Sequence, residues 1–133
     1  MNALVSGHAA ALWVGLNLIL LLVLSMLVVR QRQKHKVALG DGGVPELARV
    51  SRAFANATEY VPAGLIAIVV LAVLETPPLA IHVIGFLLLA GRVIHAVGLS
   101  NSGAASIPRA VGVLLTWIAY VFAAAALLFY AIA

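Results

Sequence analysis

The sequence contains no cysteine and very little charge, and each absence removes a class of protein. Without cysteine, the 133-residue chain forms no disulfides and offers neither a thiolate metal ligand nor a cysteine nucleophile. Charged residues make up 9% of the chain, against about 25% in soluble globular proteins. With 65% hydrophobic residues, the chain has too few polar side chains to cover a water-facing surface. The composition therefore predicts an integral membrane protein.

The apolar residues fall into four long runs, which predict an all-α four-helix bundle in a single domain, residues 1–133. The runs are continuous and do not alternate polar with apolar residues, which excludes the strands of a β-barrel. Residues 1–8 hold no Lys or Arg, so the first run is interpreted as a retained helix and not as a signal peptide. The expected helices cover about 9–29, 45–74, 79–99 and 108–132.

Basic residues gather at one end of the predicted bundle. With four helices, the segments 30–45 and 100–107 share one side, and both termini lie on the other. By the positive-inside rule the basic side is cytoplasmic, so both termini are expected to be periplasmic or lumenal. The eight basic residues on or toward this side are Arg30, Arg32, Lys34, Lys36, Arg49, Arg52, Arg92 and Arg109.

The second helix carries an unusually polar segment, RVSRAFANATEYVP, residues 49–62. Arg49, Arg52, Asn56 and Glu59 are spaced i, i+3, i+7 and i+10, which places them on one helical face. Pro62 lies within this helix, where a membrane helix usually continues through a proline. The segment therefore predicts a polar stripe along the second helix.

The third and fourth helices each add a polar face toward the cytoplasmic half. Arg92 and His95 are spaced i, i+3, and Arg109, Thr116 and Tyr120 are spaced i, i+7, i+11. Charged groups in hydrocarbon cost several kcal/mol unless they are paired or hydrated. These side chains are therefore expected to face the bundle interior, a subunit interface or a water-filled cavity.

The charges of these faces do not balance. Arg52, Arg92 and Arg109 outnumber Glu59 by three to one, which favours an anionic small molecule or a lipid headgroup as a partner. The alternative is an internal structural network in which Glu59 pairs with Arg52 or Arg92. No metal site is expected, because His82 and His95 are thirteen residues apart. No nucleotide-cradling glycine motif is present, and no nucleic-acid partner is expected.

Three segments carry a resemblance to a known family. RVSRAFANATEYVP resembles the helix 2 signature of the MAPEG family, membrane-associated proteins in eicosanoid and glutathione metabolism. VALGDGGVPEL and GRVIHAVGL resemble the first loop and the third helix of its bacterial branch. The resemblance covers essentially the whole chain. It implies a homotrimer, with glutathione bound between subunits near the cytoplasmic side, in a bacterial inner membrane.

The resemblance also implies roles for single residues. Arg109 matches the arginine that stabilises the glutathione thiolate, which makes it the expected catalytic residue. Arg92 joins the binding set as a deep cation of the same arginine-rich pocket. The expected glutathione-binding residues are Arg30, Arg52, Asn56, Glu59, Tyr60, Arg92 and His95.

Two hypotheses for the function follow. The first is a glutathione-dependent transferase or peroxidase, whose lipophilic substrate arrives from the membrane. The second is a non-catalytic protein of the same fold that binds an anionic lipid or another anionic ligand. The intact stripe and Arg109 favour the first. Phe54, Val97 and Leu99 stand where relatives often have His or Tyr, and they favour the second.

Overall fold

The computed structural model describes the backbone of residues 2–132 and the side chains of residues 4–132. It contains four helices, and each is long and apolar enough to cross a membrane. No β-strand occurs in this range. The predicted all-α, four-helix membrane architecture is confirmed. The helices are α1 (Asn2–His35), α2 (Pro45–Val73), α3 (Pro78–Asn101) and α4 (Ile107–Ile132).

The first helix is longer than its apolar run. α1 has 34 residues, and at 1.5 Å per residue it measures about 51 Å, well beyond a hydrocarbon core of about 30 Å. The prediction of 9–29 was wrong at both ends, because it counted only apolar residues. The basic run RQRQKH contains no helix breaker, and its side chains favour helix. The other three helices begin and end within two residues of expectation, and α2 continues through Pro62.

The helices pack around α2 and α3. α1 packs against α2 and α3, and α4 packs against α3 and α2, whereas α1 and α4 make no contact within the described residues. Two apolar clusters fill the bundle. One includes Trp13 and Leu88, and the other includes Leu24 and Leu99. Because α3 contacts all three other helices, a polar side chain on α3 can reach α2 and α4 at once.

Short connections fix the two ends of the bundle. The α2–α3 turn lies at the end that holds the N-terminus, where Ser6 Oγ donates 2.7 Å to the Thr76 carbonyl. At the opposite end, the α1–α2 loop turns at Asp41, whose Oδ1 accepts from the Gly43 N–H over 3.0 Å. Pro45 then occupies the first turn of α2, where its missing N–H costs nothing.

Two glycines bring the backbones of α3 and α4 into contact. A Cβ atom on Gly112 would lie 2.6 Å from the Gly91 carbonyl oxygen and 2.6 Å from the backbone nitrogen of His95. A Cβ on Gly91 would lie 2.8 Å from the Gly112 carbonyl oxygen. Small residues at such positions are how membrane helices approach each other closely. The contact places Gly112 and Thr116, in the second and third turns of α4, directly beside Arg92.

We predict that Gly112→Ala destabilises the bundle by about 2 kcal/mol, because the added methyl group meets backbone atoms that cannot turn away. Thermal unfolding in detergent micelles measures the effect. Gly15→Ala is the matched control, since a Cβ there meets nothing within 4 Å. Equal melting temperatures for the two variants would contradict the close approach.

Candidate functional site

The cytoplasm-facing half of the predicted topology contains a buried arginine. Arg92 lies nine residues before the end of α3, and its side chain is 1% exposed. Its Nε donates to Thr116 Oγ1 over 2.8 Å, and one terminal nitrogen donates to Asn56 Oδ1 over 2.6 Å. The other terminal nitrogen donates to the Gly112 carbonyl over 3.1 Å. Arg92 therefore ties α2, α3 and α4 together.

All hydrogen-bond acceptors of Arg92 are neutral. Its Cζ also lies 4.8 Å from the centre of the Tyr60 ring, a cation–π geometry. A central charge costs roughly 3 kcal/mol to place in a transmembrane helix. Hydrogen bonds from a charged donor contribute about 1.5–3 kcal/mol each, so three of them offset this cost. The guanidinium is thus stabilised while its positive charge stays uncompensated.

The predicted polar stripe on α2 is present, and its members contact one another. Arg52 donates to Glu59 Oε1 over 3.1 Å, and Asn56 Nδ2 lies 3.4 Å from Glu59 Oε2. Glu59 pairs with Arg52 and not with Arg92, which settles the choice that the sequence left open. Both side chains of this pair are at least half exposed. The side chain of Arg49, the fourth residue predicted on this stripe, contacts the Glu46 carboxylate over 3.7 Å instead of Glu59.

A second group of polar side chains lines an open cleft of about 420 Å³. His95 of α3 and Arg109 of α4 lie at this cleft, together with apolar side chains that include Val113 and Trp117. Arg109 donates to the carbonyl of Ala104 over 2.7 Å. The cleft thus combines an arginine, an imidazole and an apolar wall that faces outward.

The cleft also contains a feature that the sequence reasoning missed. Ser106 lies at the start of α4, and its hydroxyl is buried without a hydrogen-bond partner among the described residues. Ser106 and Arg109 share this cleft at the N-terminus of α4, and the free N–H groups and the dipole at a helix N-terminus favour negative charge. The signal was visible in the sequence, because Ser ahead of Ile107–Pro108 is typical of a helix start.

The structure does not join the cleft to the α2 stripe within one protomer. The residues lining the cleft come from α3, α4 and the loop between them, and none comes from α2. The expected polar face of α4 turns toward the bundle: Thr116 bonds Arg92, the Tyr120 hydroxyl donates to the Tyr60 carbonyl, and Arg109 lies beside Gly98 of α3 and bonds its own loop. Glycines hold this part of α4 against α3, since a Cβ on Gly98 would lie 3.0 Å from the Arg109 backbone nitrogen and a Cβ on Gly91 would lie 2.8 Å from the Gly112 carbonyl oxygen.

Arg30 and Tyr60 are the remaining candidates from the sequence. Arg30 is exposed on the last turns of α1. Tyr60 is half-buried, and its carbonyl accepts a hydrogen bond from the Tyr120 hydroxyl. Phe54 packs against an apolar cluster that includes Leu99, so both residues belong to the core.

Comparison with known proteins agrees with this arrangement of helices and polar residues. The sequence model of the MAPEG family matches residues 10–129. The chain belongs to the MAPEG family. The matched region extends over most of α1 and α4, and it includes all of α2 and α3, with the α2 stripe, Arg92 and the cleft.

A bacterial inner membrane protein offers a second comparison. The chain is 37% identical to the inner membrane protein YecN of Escherichia coli over 89 residues. The matched segment covers 67% of this chain and 68% of YecN. The same identity and coverage hold for the protein of that name in a second Escherichia coli strain.

We predict that Arg92→Lys lowers the stability of this MAPEG protein by about 2 kcal/mol. A lysine ammonium lacks the planar fork and cannot bond Thr116, Asn56 and Gly112 together, so buried acceptors lose their donors. Arg30→Lys, on an exposed site, is the control and is expected to stay within about 0.5 kcal/mol. Thermal unfolding in micelles gives both values, and equal losses would show that Arg92 holds no internal network.

Proposed function

We propose that the protein is a glutathione-dependent membrane transferase or peroxidase that acts on lipophilic electrophiles. The main support is the uncompensated charge at one end of the bundle. Of Arg52, Arg92 and Arg109, only Arg52 contacts a carboxylate within the described residues. A ligand with more than one carboxylate would balance these cations, and glutathione has two carboxylates, one ammonium group and one thiol.

The α2 stripe is suited to the charged groups of the tripeptide. Arg52 is exposed and can bind a ligand carboxylate with its planar fork. Glu59 is half exposed and can accept hydrogen bonds from an ammonium group. The Asn56 amide, held between Arg92 and Glu59, adds a neutral donor. These three residues offer complementary partners to one end of glutathione.

The cleft is suited to the thiol and to the second substrate. Arg109, the Ser106 hydroxyl and the start of α4 favour negative charge, so a thiol bound there would lose its proton more readily. One pKa unit corresponds to about 1.4 kcal/mol, so one well-placed arginine changes the thiolate fraction severalfold near neutral pH. Val113 and Trp117 give a lipophilic substrate an apolar wall that it reaches from the bilayer.

The chemistry then needs only the thiolate and the electrophile. In a transfer reaction the sulfur attacks an electrophilic carbon, a C–S bond forms and the leaving group departs with its electron pair. In hydroperoxide reduction two glutathione molecules give one disulfide, one alcohol and one water. Arg109 stabilises the anionic sulfur before attack and lies in reach of the departing anion in the same cleft.

Two separate surfaces on one protomer support a site shared between subunits. When one protomer contributes its α2 stripe and the next contributes its cleft, the contact is heterologous, and a ring closes it. A homotrimer is the ring that we propose. A bacterial inner membrane, as in the name of the relative YecN, is the proposed location.

A second candidate function rests on the apolar residues near the stripe. Phe54 and Leu99 pack in the core, and Leu99 is 5% exposed, so neither position offers a polar contact to a ligand. A protein that keeps the arginines but lacks these contacts would hold an anionic lipid headgroup without catalysing a reaction.

We expect glutathione to bind the detergent-purified protein and to show the ultraviolet absorbance of a thiolate at neutral pH. Added aryl halide should then be conjugated. An anionic phospholipid that binds in place of glutathione, with no thiolate absorbance at millimolar glutathione, would support the second candidate instead.

Arg109→Ala is expected to remove most of the thiolate absorbance, because the nearest cation to the bound sulfur is lost. Arg49→Ala is the matched control, since this arginine contacts Glu46 and lies outside both candidate groups. A thiolate signal that survives in Arg109→Ala but is lost in another arginine variant would assign the role elsewhere.

The absence of cysteine allows a direct test of the proposed orientation. We expect Gly103→Cys, in the α3–α4 loop, to react with a membrane-impermeant maleimide only after the cytoplasmic face is opened. Leu74→Cys, at the opposite end of the bundle, should react in intact spheroplasts. The reverse labelling pattern would mean that the topology is opposite to the one proposed.

A further inference from the structure

The buried hydroxyl of Thr116 holds Arg92 from one side. Thr116 is 0% exposed, donates to the Gly112 carbonyl over 2.9 Å and accepts from Arg92 Nε over 2.8 Å. Because its hydrogen is committed to that carbonyl, the lone pairs of the oxygen face the guanidinium. Toward Arg92 the Thr116 hydroxyl can therefore act only as an acceptor, which suits an arginine and fixes the plane of its guanidinium.

The fixed guanidinium in turn decides which way the Asn56 amide points. An arginine side chain has five N–H donors and no acceptor, so Asn56 must present Oδ1 to it. This contact is 2.6 Å long, and it leaves the NH₂ group to point toward Glu59. A flipped amide would place its N–H groups against the N–H groups of Arg92 and its oxygen beside the Glu59 carboxylate.

We propose that Thr116 is a positioning residue, which acts through Arg92 to keep the Asn56 amide with its NH₂ group directed toward the ligand surface. The chain of contacts runs from α4 through α3 to the outer face of α2. It connects a fully buried hydroxyl with the stripe whose Arg52–Glu59 pair is at least half exposed. The consequence for glutathione affinity rests on the proposed function, whereas the orientation of Asn56 does not.

The first experiment uses the full-length, ligand-free protein in micelles and observes the Arg92 Nε–H and Asn56 NH₂ signals by ¹⁵N nuclear magnetic resonance. Arg92→Lys and Asn56→Ala assign these signals. In the wild type and in Thr116→Ser, which keeps the hydroxyl, both groups should exchange slowly with water. In Thr116→Val, which has nearly the same shape, the Asn56 signals should broaden or exchange faster. Unchanged Asn56 signals in Thr116→Val would overturn the proposal.

The second experiment separates positioning from a general loss of stability. Thr116→Val should raise the Kd for glutathione by up to about tenfold, the size of one net hydrogen bond, and Thr116→Ser should restore it. In an Asn56→Ala background the same Thr116→Val change should have no further effect on Kd. An equal rise in both backgrounds would mean that Thr116 does not act through Asn56.

The two experiments distinguish a failure of the proposed function from a failure of the positioning role. If the wild type binds no glutathione but the Asn56 signals still depend on the Thr116 hydroxyl, the proposed function is wrong and the positioning role stands. If glutathione binds and Thr116→Val leaves both the Asn56 signals and the Kd unchanged, the proposed function stands and Thr116 has no positioning role.

Discussion

The buried guanidinium of Arg92 is the interaction on which the rest of the bundle depends. Because arginine donates five N–H groups and accepts none, its neighbours must all present oxygen atoms or a ring face. Asn56, Thr116, the Gly112 carbonyl and Tyr60 meet this requirement from two other helices. The close approach of α3 and α4 at their glycines makes it possible, since a larger residue would move Thr116 away. The close packing of α3 against α4 and the burial of the Arg92 charge therefore depend on each other.

The membrane environment explains why the polar residues are so few and so closely connected. The hydrocarbon core holds no water that could hydrogen-bond an unpaired donor or hydrate a charge. Each polar side chain in the bundle therefore needs an internal partner, a water-filled cavity or a partner on another subunit. Arg92 has internal partners. Arg109 and Ser106 face an open cleft, and the Arg52–Glu59 pair lies on an exposed face. This division separates what stabilises the protomer from what is available to a ligand or a neighbouring subunit.

Much of the fold and part of the candidate site could be predicted from the sequence. Helical periodicity placed Arg52, Asn56 and Glu59 on one stripe, and the structure connects them by hydrogen bonds. Periodicity also placed Arg109 and Thr116 on one face of α4, but it did not give their partners: Thr116 bonds Arg92, whereas Arg109 bonds the Ala104 carbonyl of its own loop. A helical wheel gives the direction of each residue around its own axis, but it does not say which part of the helix touches a neighbour.

Composition, run length and local spacing were sufficient to predict the number of helices, their membrane character and the basic end, and the motifs of the second helix, the first loop and the third helix indicated the family. Three further features required the three-dimensional structure: Glu59 pairs with Arg52, Arg92 is enclosed by neutral acceptors, and the residues that line the cleft of Arg109 do not include the α2 stripe. The Arg52–Glu59 pair forms within α2, whereas the other two features depend on distances between residues far apart in the chain. Those distances are set by how closely the glycines let α3 and α4 approach, which no local pattern records.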